Sequence, residues 1–139
     1  MVTNQPRCHH RRDVTHVDSR CDRGRYRRLD RALRIAWLHL ARYELDEAHL
    51  RMRIGIIRLN AAHGLIETPQ RGYHETLTRV WLILVGAARR PSPGSDLTSA
   101  PADPGLSRAA PRAFYRRDRL FSLAARTAFV PPDLGDLPG

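Results

Sequence analysis

The sequence predicts an all-α fold, a small three-helix bundle with a short C-terminal helical turn and an extended tail. Three observations carry this. Apolar residues recur at helical spacing in three separate stretches. Between the second and third, Gly64, Thr68-Pro69 and Gly72 break the pattern with residues that stop a helix or turn the chain. With 139 residues, the chain has room for one domain.

Residues 1–28 mix Arg, His, Asp and Cys without periodic apolar anchors, so this arm is expected to be disordered. Cys8, His9, His10, His16 and Cys21 fit no closed four-ligand zinc spacing, which brings ligands in pairs two to four residues apart at both ends. The helical core is expected over residues 29–90. Helix one covers about Leu29 to Tyr43, with Leu33, Ala36, Trp37 and Leu40 inward. Asp30 and Arg42 suit the two ends of its dipole, and His39 lies at the surface.

Asp46 is the expected N-cap of helix two, with Glu47 in the first turn. Leu50, Ile54, Ile57 and Ala61 form its apolar face, while Arg51, Arg53 and Arg58 are solvated and His49 sits on the polar side. Gly64 stops this helix after His63 because glycine has no side-chain penalty at positive φ. Helix three begins near Tyr73 and turns Leu77, Val80, Trp81, Leu84 and Ala88 to one side. Glu75 and Arg79 stand four apart and are expected to pair.

After Arg89-Arg90, residues 91–112 are rich in Pro, Gly, Ser and Ala, which cannot bury enough surface to offset backbone ordering. Residues 113–139 regain pattern and are expected to dock on the bundle. Leu120, Phe121, Leu123 and Ala124 supply a helical turn or two, and Phe129 and Leu134 anchor an extended Pro131-Pro132 segment.

All 24 basic residues are arginine, and the net charge is +10. Residues 1–34 carry +6 of it and residues 35–139 carry +4, so the compact part is only mildly basic. The two cysteines lie in the arm and staple no core. A signal-peptide pattern is missing from the N-terminus, and the run from Val80 to Ala88 is too short for a bilayer, so a cytoplasmic protein without membrane partners is expected. Acyl transfer is poorly supported: Ser122 has no nucleophile-elbow context and neither cysteine sits near a predicted rigid element.

The stretches Leu59-Asn60-Ala61-Ala62-His63-Gly64, Thr68-Pro69, Gly72-Tyr73-His74-Glu75-Thr76 with Thr78-Arg79 and Trp81, Arg119-Leu120-Phe121-Ser122 with Ala125-Arg126, and Pro132-Asp133-Leu134 carry a resemblance. They are similar to an uncharacterised family of small all-helical bacterial proteins. The resemblance spans about Arg34 to Leu137 apart from the linker, and implies a shared fold but no activity. The family pattern has a Trp-Thr-His-x-x-His-like segment entering helix one, where this chain has Leu29 and Ala32. Residues 1 to about 32 are therefore expected to be a degenerate, shifted or wrongly started N-terminus.

Three functions compete. If helices two and three pack antiparallel, His63 meets His74 and Glu75 at one end of the bundle. Imidazole and carboxylate suit a divalent metal or a small-molecule site, which makes His63, His74 and Glu75 the candidate ligands, with Tyr73, Thr78 and Arg79 supporting. Against this, adjacent helical residues such as His74 and Glu75 point about 100° apart. The bland alternative has His63 and His74 capping helices and Glu75 serving the dipole. A second reading is weak, non-specific nucleic-acid binding through the Arg-rich arm, in which only Tyr26 offers a stacking ring. The third is a non-enzymatic scaffold whose thin core is completed in a homodimer, with Trp37, Trp81, Phe121 and Phe129 at the interface.

Overall fold

The computed structural model describes residues 19–91 and 106–139, with side chains from residue 29 onward. Three helices pack against one another: α1 (Ser19–Leu40), α2 (Leu45–Ala62) and α3 (Glu75–Arg89). A 3-10 turn at Ala110–Ala113 and two short helices, α4 (Arg117–Leu120) and α5 (Leu123–Thr127), follow. The described residues contain no strand, only one isolated backbone bridge between Thr68 and Arg71. Most of the arm, including Cys8, His9, His10 and His16, lies outside the described residues, as does segment 92–105.

The helix α1 starts at Ser19, ten residues before the apolar pattern does. Arginine is a good helix former, so helix can extend past the last packed turn without apolar periodicity. Leu33, Ala36 and Trp37 are buried as their spacing predicts. Trp37, at 5% exposure, belongs to the core and is not available to an interface. The core also takes in Leu106 and Pro111, so the C-terminal end of the expected linker is ordered against the bundle.

The face of α2 differs from expectation. Its buried residues are Ala48, His49 and Met52, while Leu50, Ile54 and Ile57 are 51%, 42% and 41% exposed. This helix has apolar residues on opposite sides, and periodicity alone cannot choose between them. Its N-cap is Glu44, without a side-chain cap bond, so Asp46 falls inside the first turn. At the other end, Gly64 (φ +69) donates to Ala61 O at 3.0 Å and Leu65 N to Asn60 O at 2.9 Å. That bond pair is the Schellman motif, and it satisfies carbonyls that a helix end would otherwise leave open.

Helix α3 lies at the centre, against α1, α2 and α5. It carries no charge between Arg79 and Arg89 and is buried on several sides, with Val80, Leu82 and Val85 fully inside. The C-terminal segment wraps this core with buried Tyr115 and Leu120. Tyr115 donates its hydroxyl to Val130 O at 2.8 Å, and Asp133 Oδ1 accepts from Arg116 N at 2.9 Å. Phe129 and Leu134 are 42% and 49% exposed, so the tail is anchored instead by Val130 and Leu137, which pack against the core.

Candidate functional site

The hinge between α2 and α3 is built by a carboxylate that folds back on the loop. Glu67 Oε2 accepts from Tyr73 N at 2.7 Å, and Oε1 accepts from Asn60 Nδ2 at 3.2 Å. Gly72, at φ +112, makes room for it: a Cβ there would sit 1.8 Å from Glu67 Oε2. Only glycine meets both the backbone and the space requirement.

His74 then starts α3 as its N-cap. Its Nδ1 accepts from Leu77 N at 3.1 Å, which leaves Nε2 as the protonated nitrogen, donating to Leu120 O at 2.8 Å. Both nitrogens are thus committed, and Phe121 meets the ring edge-on at 6.3 Å. Burial lowers the His74 pKa below its ordinary value, and the nearby Arg126 charge adds to the lowering. The neutral form is also the one the cap needs.

The tail locks onto the same hinge. Thr76 Oγ1 donates to Ala128 O at 3.0 Å and accepts from Val130 N at 3.2 Å. Arg126 donates to Gly72 O, Tyr73 O and Gln70 O, each at 3.2 Å. The stretches Gly72–Thr76 and Arg119–Val130 therefore meet as one interlocked unit.

On the other side of the hinge, Glu75 turns towards α2 and not towards Arg79. Arg53 grips its carboxylate as a fork, Nε to Oε2 at 3.1 Å and Nη2 to Oε1. His49 Nε2 lies 3.2 Å from Glu75 Oε1 and 3.2 Å from the Tyr73 hydroxyl. Arg79 pairs instead with Asp46 Oδ1 at 2.7 Å and reaches His49 Nδ1 at 3.4 Å. A guanidinium can only donate, so Nδ1 accepts and the His49 proton sits on Nε2, facing the carboxylate.

Electrostatics keep each group in one state. Burial lowers the His49 pKa; Glu75 opposes this, while Arg79 and Arg53 add to it, so the ring is neutral near pH 7. Burial alone would raise the Glu75 pKa, but the Arg53 guanidinium and Tyr73 hydroxyl hold it below the ordinary carboxylate value. Burial and the Glu75 carboxylate push the Tyr73 hydroxyl up to about 12. The result is a closed cluster of an ionised Glu75, a neutral His49, a neutral Tyr73 and two arginines joining α2 to α3.

The residues expected to share a metal point different ways. His74 faces the tail, Glu75 faces α2, and His63 is exposed at the α2 C-cap, with no side-chain partner among the described residues. Among the described residues, no three His, Cys, Asp or Glu side chains are grouped to hold a metal ion. Thr78 is buried and donates to His74 O at 2.9 Å, a contact within α3. A histidine beside a carboxylate has the outline of an acid–base dyad, but such a dyad needs a nucleophile or substrate at its free nitrogen. Here Nε2 serves Glu75 and Nδ1 faces Arg79.

Sequence reasoning missed His49 and Arg53, since the pattern assigned both to solvent. Their one visible signal was position: 49 and 53 share a face with buried Met52 and half-buried Ile56, one turn apart. Comparison of the chain with family models, curated proteins and solved structures finds no match. No described helix is long and apolar enough to cross a membrane.

Proposed function

We propose that the chain is a non-catalytic interaction module, a helical scaffold that receives an amphipathic helix on the outer face of α2. One observation carries this reading: Leu50, Ile54 and Ile57 stand exposed in a single stripe, while the polar hinge spends its groups on internal contacts. With Ala61, these residues are spaced four, three and four apart, the seam spacing of paired helices, in which side chains from one helix seat between four of the other. Aliphatic residues exposed singly mean little, but a continuous stripe of them marks an interaction site.

A photo-crosslinking residue at position 54 tests it in cells, with the exposed position 118 on α4 as the control. Discrete adducts from position 54 with weaker ones from position 118 support the reading. Equal, diffuse labelling from both positions would overturn it.

The metal reading of His63, His74 and Glu75 is less favoured, because the His74 and Glu75 side chains are already engaged by Leu77, Leu120 and Arg53.

A further inference from the structure

We infer that the helix received by this face is α2 of a second copy, packed antiparallel across a two-fold axis. The inference rests on the interaction reading above and adds the partner's identity. A seam of Leu50, Ile54, Ile57 and Ala61 is self-complementary, because a two-fold axis sets the same stripe against itself.

Charge selects the direction. Glu47 and Arg58 are eleven residues apart and therefore lie on the same edge of the stripe. Among the described residues Glu47 bonds only Arg51, at 2.9 Å, and both side chains are about half exposed. Arg58 is exposed without a partner among the described residues. Antiparallel packing that sets Leu50 of one copy against Ile57 of the other brings each Glu47 within about 3 Å, along the axis, of Arg58 on the other copy. The pair forms twice by symmetry. Parallel packing instead lays the basic C-terminal halves side by side, with both helix dipoles aligned.

Area sets the strength. A stable dimer buries about 800 Å² on each partner. Three partly exposed aliphatic side chains and an alanine fall short of that, so the pair is a weak, concentration-dependent one.

Sedimentation velocity on the full chain, from about 5 µM to about 500 µM, reads the association, with half-dimerisation expected in the upper part of that range. Ile54→Glu should abolish it with an unchanged helical circular dichroism signal, since Ile54 faces solvent in the monomer. Glu47→Arg should weaken it roughly tenfold or more, and the double exchange Glu47→Arg with Arg58→Glu should restore it. The inference is overturned by a monomer throughout the range, by a dimer indifferent to Ile54→Glu, or by a charge exchange that fails to restore binding. Ile54-dependent flotation with anionic phosphatidylserine vesicles and no dimer would also overturn it, making a lipid surface the occupant. Crosslinks from position 54 to foreign proteins, with a strictly monomeric chain, sink self-pairing while leaving the interaction reading intact.

Discussion

Replacing Glu75 by glutamine tests whether the polar cluster holds α2 to α3. The substitution keeps the shape of the side chain but removes its charge and one acceptor. Glu75 Oε1 receives Arg53 and faces His49, and Oε2 receives Arg53 Nε at 3.1 Å. Glutamine can present one carbonyl oxygen to these donors, and its amide then opposes another N–H. Hydrogen bonds to charged groups contribute about 1.5–3 kcal/mol each. The Arg53 side chain is 42% exposed and can recover water, whereas Glu75 is only 11% exposed. The arginine half of the loss is therefore discounted, and the expected net cost is about 2 kcal/mol. For a chain of this size that lowers Tm by roughly 6–10 °C at pH 7. Thermal unfolding followed at 222 nm reads it. The wild-type advantage should also vanish in acid: a carboxylate held below its unfolded value stabilises above that value and loses the effect as pH falls through the folded one. A Tm within about 1 °C of wild type at pH 7 would refute the reasoning and leave the cluster as surface decoration.

Two histidines give an earlier acid limb. His49 and His74 both have folded pKa values below 6.5, so the unfolded chain binds protons first and stability falls as pH drops below about 6.5. Urea midpoints measured between pH 8 and pH 5 check this, and His74→Asn should flatten much of the limb while keeping a capping side chain. Gly72→Ala should cost about 2 kcal/mol or more in a urea titration, because φ +112 is strained for alanine and its Cβ displaces the Glu67 carboxylate. Arg126→Met should cost about 2 kcal/mol by removing the bonds to three hinge carbonyls, and protease nicking near Gln70 reads the loosened loop. His63→Ala should change stability by no more than about 0.5 kcal/mol, since that imidazole is exposed.

Local order was legible in the chain without coordinates. Leu33, Ala36 and Trp37 on one face of α1, the Gly64 stop, the start of α3 next to His74, and the turn at Gly72 all follow from spacing and backbone preference. These features depend on residues within a turn or two of one another, so the sequence contains the whole cause. Tertiary structure decided the rest. Helix α2 is apolar on two sides, and only packing against α1 and α3 chose Ala48 and Met52 for the core and left Leu50, Ile54 and Ile57 outside. Glu75 had Arg79 four residues away, the expected partner on an isolated helix. In the packed bundle, Arg53 and His49 lie closer to its carboxylate, 22 and 26 residues back along the chain. Arg126 reaches Gly72 across 54 residues for the same reason. A long-range partner is chosen by which buried groups would otherwise lack one, and that is known only once the helices are in place.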